Sequence, residues 1–229
     1  MCAKPNFGVR DADEGDGQFM IDAFDASLSQ LASIGSGGQW GSQPFAEREN
    51  REERVQTFEQ ALRYQLTGEG EPIRIFIAET EIPLSTANEL PALLHIRTSN
   101  DGKKFLAVGS VQLSEGIVSA PMRAMFTQDS IREELEGKSN FIYLDALITD
   151  FRAGQWRKGA GAALIEHARQ YGRDKGMLTL YLDAWAGNSR KLVKYYENQG
   201  FSAVDDFEIT MPDDSKWPGT LLRMDITGK

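Results

Sequence analysis

The segment "GQWRKGAGAALIEHARQYG", Gly154–Gly172, decides how the second half of the chain folds. Apolar residues recur at helical spacing within it and predict a helix from about Gly159 to Lys175. Two apolar runs, Phe141–Asp150 and Met177–Trp185, flank this helix and have the composition of buried strands. A strand, a helix and a strand in this order predict a parallel strand pair that is joined by a right-handed crossover.

Outside this unit, the sequence adds helices and strands in mixed order. Helical spacing predicts helices at Gln18–Ser33, Ala46–Leu66, 130–137 and Ser189–Gly200. Strand-like runs occur at Phe7–Arg10, Ile73–Thr80, 91–98, 104–116, 201–209 and 219–227. The expected fold class is therefore α/β (α+β) with a mixed sheet. No stretch of linker composition separates the halves, so we expect a single domain over residues 1–229.

Composition and charge exclude several classes of protein. The 229 residues carry a net charge of −9 and the pI is about 4.9, which argues against nucleic-acid binding because that needs a basic surface. No run of about 18 apolar residues is present, so we expect no membrane span. Cys2 is the only cysteine and cannot form an internal disulfide, which together with the lack of a signal-peptide core predicts a cytoplasmic protein.

The start of the helix after Gly154 has the features of an anion site. The first four N–H groups of a helix have no partner within it and carry partial positive charge. Gly159 and Gly161 leave the backbone open to a bulky anion, and Arg157 and Lys158 add two full charges. This pattern suits a diphosphate better than a carboxylate. The alternative is that the glycines only let the helix pack closely on the strand.

Two common phosphate motifs do not fit the sequence. The dinucleotide pattern G-x-G-x-x-G would need a glycine at Leu164. The sequence Gly137-Lys138-Ser139 imitates the end of a P-loop, but the residues before it predict a helix rather than a strand.

A third pattern fits, because the sequence resembles the GNAT superfamily of acyl-CoA-dependent N-acyltransferases. The resemblance rests on "LDALITDFRAGQWRKGAGAALIEHA", "LTLYLDAW" and "KLVKYYENQGF", within Phe141–Phe201. It implies a GNAT-like fold: a central mixed, mostly antiparallel sheet with a splayed parallel strand pair, flanked by helices on both faces. It also implies that acetyl-CoA is the co-substrate and that no metal takes part.

The resemblance implies which residues bind the cofactor. The loop of the family reads Gln/Arg-x-x-Gly-x-Gly/Ala, and here this frame runs from Trp156 to Gly161, with Trp156 departing from the pattern. The end of the preceding strand would pair with the pantetheine arm, and Asn188 and Tyr195 would add contacts later in the chain. The cofactor residues implied are Leu147, Ile148, Thr149, Trp156, Arg157, Lys158, Gly159, Ala160, Gly161, Ala162, Asn188 and Tyr195.

A second signature of the family, Tyr-Glu-x-x-Gly-Phe, implies the catalytic acid. It begins at Tyr196, which would protonate the departing thiolate, since a thiol has a pKa near 8.5 and a phenol near 10. Tyr195 is the rival, and Tyr196 could instead belong to the core. For the proton acceptor of the amine we expect Asp145, with Asp150 and Asp183 as alternatives.

The acceptor would bind near the glycine-rich segment between the first two helices. Gln39 and Trp40 stand among glycines there, which suggests a mobile lid with an aromatic platform, or a tryptophan that only anchors a surface loop. His95 and His167 are too few and too isolated for a metal site.

The function expected from these features is acetyl transfer to a small-molecule primary amine, by direct attack in a ternary complex. We expect a monomer or homodimer, with neither nucleic acid nor membrane as a partner. Two alternatives remain open at this point: a GNAT-fold sensor or scaffold that binds acyl-CoA without catalysis, and an unrelated α/β fold that binds another polyphosphate.

Overall fold

The structure, a computed structural model, describes residues 6–119, 122–123, 126–211 and 214–227. The strands are β1 (Phe7–Asp11), β2 (Ile73–Ile82), β3 (Ile96–Thr98), β4 (Lys104–Glu115), β5 (Phe141–Thr149), β6 (Thr179–Trp185), β7 (Ser202–Thr210) and β8 (Lys216–Asp225). The α-helices are α1 (Asp16–Ser33), α2 (Arg51–Thr67), α3 (Leu84–Glu89), α4 (Asp129–Leu135), α5 (Ala160–Asp174) and α6 (Gly187–Asn198). Short 3-10 helices lie at Gly37–Gln39, Phe45–Glu47 and Phe151–Arg157.

The strands form a mixed sheet with the order β1-β2-β4-β5-β6-β8-β7, and β3 pairs with β4. The pairs β1/β2, β3/β4, β6/β8 and β7/β8 are antiparallel, whereas β5 and β6 are parallel. The predicted fold class and the predicted parallel pair around α5 are therefore confirmed. The parallel pair could be predicted from the two apolar runs, because strands that are covered on both faces have nearly continuous apolar sequences.

Some boundaries differ from the sequence prediction. The helix predicted from Ala46 begins at Arg51, since Phe45–Glu47 makes a separate 3-10 turn. Of the strand predicted at 91–98, only β3 forms. The helix α3, which follows Pro83, was not predicted because six residues are too few to show a helical period.

The described residues fall into two compact units. The first contains 6–30, 43–112 and 146–167. Inside it Arg10 joins two buried carboxylates, donating to Asp16 at 2.6 and 2.9 Å and to Glu79 at 3.0 Å. Because buried charges are costly without partners, this network ties β1 to α1 and β2.

The second unit contains 31–42, 168–227 and the residues between 113 and 145, apart from those outside the described ranges. One face of its sheet packs in an aromatic-rich core. Phe141 meets Tyr181 edge to face at 5.4 Å, and Phe126 meets Phe207 at 5.1 Å. The core consists of Val118, Phe126, Ile131, Phe141, Tyr143, Tyr181, Phe207 and Leu221.

Candidate functional site

The connection from β5 to α5 is held by an aspartate–arginine pair. The carboxylate of Asp150, fully buried, accepts hydrogen bonds from the backbone N–H, Nε and Nη2 of Arg152, each at 2.9 Å. Arg152 also lies 3.3 Å from Asp22, which contacts His95 at 3.1 Å. The residues between β5 and α5 form the 3-10 helix Phe151–Arg157, and the side chain of Asp150 caps its first turn. The pairing with Arg152 commits Asp150 to structure, so this carboxylate is a poor candidate for proton transfer.

The two glycines at the start of α5 differ in exposure, because Gly159 is exposed whereas Gly161 and its neighbour Ala160 are buried. Gly159 is exposed and adopts φ +98°, a conformation that side chains other than glycine disfavour. Its carbonyl accepts the first helical bond, from Ala163 at 3.0 Å. The N–H groups that precede Ala163 in the first turn therefore have no carbonyl partner within the helix, and they form the positive end of the helix dipole.

The two cations before Gly159 are placed differently. Lys158 is exposed. Arg157 folds back, since its Nη1 donates to Thr149 Oγ1 at 3.1 Å and its guanidinium stacks 3.7 Å from the ring centroid of Phe151. Burial lowers the pKa of Arg157. The described residues offer no partner to its buried Nε. Because Arg157 stacks on Phe151 while Lys158 is exposed, Lys158 is the cation that an incoming anion meets first.

The last residues of β5 approach β4 closely. A Cβ on Gly109 would lie 2.8 Å from the carbonyl oxygen of Ile148, and the N–H of Asp150 donates to Val108 at 2.9 Å. Ile148 is buried, whereas Leu147 and Thr149 are partly exposed. The strand end is thus fixed through its backbone, and side chains on its other positions remain accessible.

In the second unit, two aspartates follow the end of the parallel ladder. The register of β5 on β6 runs from Phe141–Thr179 to Leu144–Leu182, so Asp145 and Asp183 are the next residues along the two strands. Strand alternation puts both on the face of Tyr143. The hydroxyl of Tyr143 donates to Asp183 Oδ1 at 2.7 Å, and Ser114 Oγ donates to Asp145 Oδ2 at 2.7 Å.

Burial changes the acidity of this group. It raises the pKa of Asp183, and the hydrogen bond from Tyr143 works against this increase by stabilising the ionised form. The pKa of Tyr143 is well above its usual value, because the phenol is buried and faces the charges of Asp183 and Asp145. Tyr143 therefore acts as a permanent hydrogen-bond donor.

Tyr196 lies on α6 with only 7% of its surface exposed. It meets Tyr195 at 5.3 Å and Phe201 at 5.7 Å, both edge to face. Burial raises its pKa above that of an ordinary phenol, and the charge of Asp183 adds to the effect. Tyr196 thus belongs to the packed part of the second unit and is also within electrostatic reach of Asp183.

The first residues of α6 adopt a left-handed turn. Asn188, Ser189 and Arg190 have φ values of 48°, 57° and 59°. The side-chain Nδ2 of Asn188 donates to the carbonyl of Ile34 and to Ser36 Oγ, each at 2.8 Å. Asn188, which was predicted to contact the cofactor, here holds the segment after α1.

The glycine-rich segment around Gln39 is docked within the second unit. Trp217 Nε1 donates to the carbonyl of Gln39 at 3.1 Å, and a Cβ on Gly38 would come 2.9 Å from the ring of Trp185. Trp40 is partly exposed. Sequence reasoning missed Trp185, Trp217 and the hydroxyl partners Ser114 and Tyr143. Of these residues, only Trp185 could have been found from the sequence, because it ends the predicted strand that carries Asp183.

Two further findings concern metals and membranes. No group of three or more His, Cys, Asp and Glu side chains in the described part of the chain could hold a metal ion. Within the same residues, no helix has both the length and the apolar character that crossing a bilayer requires.

The chain is similar to known acetyltransferases in sequence and in fold. Residues 91–201 match the model of the acetyltransferase (GNAT) family. An N-acetyltransferase from Staphylococcus aureus Mu50 has a TM-score of 0.54 and 15% identity over 97% of this chain and 99% of its own. A GCN5-related N-acetyltransferase from Kribbella flavida has a TM-score of 0.54 and 14% identity over 96% of this chain and 97% of its own.

A third structure includes a cofactor. The Salmonella typhimurium protein yncA was solved with its cofactor acetyl-CoA, and it has a TM-score of 0.54 and 9% identity over 97% of this chain and 95% of its own. No curated protein matches the sequence. The segment that matches the acetyltransferase (GNAT) family model contains the start of α5 and the signature at Tyr196, and the fold is the one found in solved N-acetyltransferases; both findings indicate an acyltransferase.

Proposed function

We propose that this protein transfers the acetyl group of acetyl-CoA to the primary amine of a small molecule, by direct attack in a ternary complex. The observation that carries the proposal is the turn before α5, where the exposed Gly159 adopts φ +98° beside the exposed Lys158. The residues from 91 to 201 that match the family model include it. Acetyl-CoA is the acyl donor we propose, and the cofactor of the Salmonella protein supports this choice.

The first unit would bind the cofactor through backbone groups. The diphosphate would rest on the amides from Arg157 to Ala162, where helix N-termini favour anions. The pantetheine arm, a chain of amides, would pair with the strand end at 147–149 in the manner of an added strand. Trp156 stands at the first position of the loop and would flank the diphosphate.

Two tyrosines and an aspartate would supply the chemistry. Tyr196 remains a phenol at all ordinary pH values because burial raises its pKa. It can therefore donate a hydrogen bond to the sulfur and release its proton as the carbon–sulfur bond breaks. Tyr195, half-exposed at 37%, would contact the cofactor beside it. Asp145 would attract the ammonium of the acceptor, and Ser114 Oγ, which donates to its Oδ2 at 2.7 Å, would orient the carboxylate.

The acceptor is proposed to be a cationic small molecule. A net charge of −9 favours the approach of amines, and Gln39 and Trp40 lie in the segment that would contact them. We also propose that residues 1–229 act as one catalytic domain, because the chain passes repeatedly between the two units and β5 contributes to both. The single cysteine supports a cytoplasmic location.

Thiol release from acetyl-CoA tests the proposal. The panel would contain alkyl amines, diamines, amino sugars and amino acids, together with peptides that carry a free N-terminal amine. We expect turnover with at least one small amine and acetylation of that amine by mass spectrometry. Turnover with peptides alone would contradict a small-molecule acceptor. Acetyl-CoA binding in calorimetry without thiol release from any compound would contradict acetyl transfer.

A further inference from the structure

We propose that Asp183 accepts the proton that the acceptor ammonium loses before it attacks the thioester, and that Tyr143 holds Asp183 for this task. This inference rests on the proposed function. It concerns the same reaction but assigns the proton transfer to a residue on β6, where the sequence favoured Asp145 on β5.

Asp183 lies at the end of the parallel strand pair. It directly follows Leu182, which pairs with Leu144, and the described parallel register of β5 and β6 does not extend to Asp183. On its other side, Asp183 pairs with Leu221 of β8, so the strand itself is firmly held. The residue is partly exposed, although its carboxyl group is desolvated enough for burial to raise its pKa. A rigid strand thus places a carboxylate close to the surface of the sheet.

The carboxylate of Asp183 is held by a hydrogen bond from Tyr143. Tyr143 is 1% exposed and donates to Oδ1 of Asp183 at 2.7 Å. That is the only side-chain hydrogen bond that the described residues make to Asp183. The other donor to this carboxylate is the backbone N–H of Asp183 itself, so no second described side chain competes with an ammonium for it.

The surroundings of Asp183 favour its protonated form. The titratable groups that face Asp183 are the phenols of Tyr143 from β5 and Tyr196 from α6. Asp145 lies two residues beyond Tyr143 on β5, on the same face of the strand. No cation acts on Asp183 among the described groups. Its pKa is therefore raised by burial toward the working pH, which is the condition that makes a carboxylate an effective base.

Asp145 has a different environment. Ser114 Oγ donates to its Oδ2, whereas the hydroxyl of Tyr143 donates to Asp183. A carboxylate with a raised pKa is suited to taking the proton of the ammonium, and a second carboxylate nearby can attract the cation. Two carboxylates in different surroundings can divide binding and proton transfer in this way.

The proton balance of the reaction is complete with these groups. Asp183 takes one proton from R–NH3+ and becomes a carboxylic acid, and the amine lone pair forms the bond to the thioester carbon. The second amine proton leaves the tetrahedral intermediate as the carbon–sulfur bond breaks, while Tyr196 protonates the sulfur. Asp183 then returns its proton to solvent, and Tyr196 regains the proton that the amine released.

Replacing Asp183 tests the inference directly. With acetyl-CoA and the panel amine of highest kcat/KM, we expect Asp183→Asn to lower kcat by about 10²-fold, the lower end for loss of a positioned base. The variant should bind acetyl-CoA in calorimetry as the wild type does. Asp145→Asn should instead raise KM for the amine and keep the acid limb of the pH–rate profile.

The control has the same change of charge on the surface. Glu208 is exposed on β7 and pairs with Lys216 at 3.3 Å, so Glu208→Gln should keep kcat within about twofold.

Tyr143→Phe provides a readout that a merely structural role would not give. Because its hydroxyl stabilises the ionised Asp183, its loss should raise the pKa of Asp183 further. The acid limb of kcat should move to higher pH, and activity should recover at alkaline pH.

The outcomes separate the inference from the proposed function. A wild-type protein without turnover would refute the function. A wild type that turns over, beside an Asp183→Asn variant that keeps kcat within about threefold or keeps its acid limb, would refute only the inference. A Tyr143→Phe profile with an unmoved limb would also refute it.

Discussion

At the scale of the residue, Tyr196 shows how burial fixes a protonation state. The phenol is 7% exposed, packs against two aromatic rings and lies within reach of the charge of Asp183. Its raised pKa makes complete transfer of its proton to a free thiolate less favourable than for an ordinary phenol. Its contribution should therefore arise while the carbon–sulfur bond is breaking.

We predict that Tyr196→Phe lowers kcat by about 10²-fold, the lower end of the range for general acids. KM for acetyl-CoA should change by no more than about threefold, because the ring and its packing remain. Steady-state kinetics with the best amine measure both constants. Tyr171→Phe is the matched control. It also removes one phenol hydroxyl, which lies on α5 and donates to Glu115. Equal loss of kcat in both variants would contradict the acid role.

The raised pKa of Asp183 also predicts an effect on stability. An unfolded aspartate has a pKa of about 3.9, and the folded-state pKa of Asp183 lies above this value. Between the two values the folded state holds more protons, so stability decreases as the pH rises through this window. The penalty of ionising this carboxylate is therefore larger at pH 8 than at pH 4.

Asp183→Asn removes this penalty and can still accept the bond from Tyr143. We expect its Tm at pH 8 to equal or exceed that of the wild type, by up to ~4 °C, and the difference to vanish below about pH 4. Thermal unfolding at several pH values measures this. A clearly lower Tm at pH 8 would mean that the charge of Asp183 stabilises the fold, contrary to the burial argument.

At the scale of the element, the sequence predicted what depends on local pattern. β5, α5 and β6 were found because their periodicity lies within single segments, and the glycine at 159 marked the start of α5. The docking of the segment at Ile34 was not predictable, since its bond to Asn188 spans 154 positions. The left-handed turn at Asn188 was missed for the same reason, because no glycine marks it and distant contacts hold it.

The three candidate aspartates illustrate the same limit. Their positions near strand ends were predicted, but their partners were not. Asp150 pairs with Arg152 two residues on, while Ser114 reaches Asp145 across 31 positions. Partners of this kind decide which carboxylate is structural and which is available, and they exist only in the folded sheet.

The start of α5 carries the prediction for this scale. We expect Gly159→Ala to raise KM for acetyl-CoA at least tenfold and to lower the Tm, because φ +98° is strained for alanine and the new Cβ would meet Phe7 at 3.3 Å. Gly176→Ala is the matched control. It has a positive φ of 71° after the same helix and open space around it, so it should lower the Tm without changing KM. An equal rise of KM in both would contradict an anion site at Gly159.

At the scale of the whole molecule, the net charge opposes the binding of an anionic cofactor. Acetyl-CoA carries phosphates, and the chain carries −9. The long-range repulsion is screened over about 10 Å at 0.1 M salt, so local cations decide the affinity at short range. Of the two cations near Gly159, Arg157 is folded onto Phe151 and Lys158 is exposed. Lys158 should therefore supply most of the local attraction.

Lys158→Gln and Lys103→Gln separate local from global charge, because each removes one positive charge from the chain. Lys103 is 51% exposed and pairs with Glu81 at 3.2 Å in a turn region before β4. We expect Lys158→Gln to raise KM for acetyl-CoA about fivefold at 20 mM salt, a loss of roughly 1 kcal/mol, and less than about twofold at 0.5 M. Lys103→Gln should change KM by less than about 1.5-fold at either salt concentration. Equal effects of the two variants would mean that net charge alone governs cofactor binding, and a salt-independent effect of Lys158→Gln would mean that its contribution is steric rather than electrostatic.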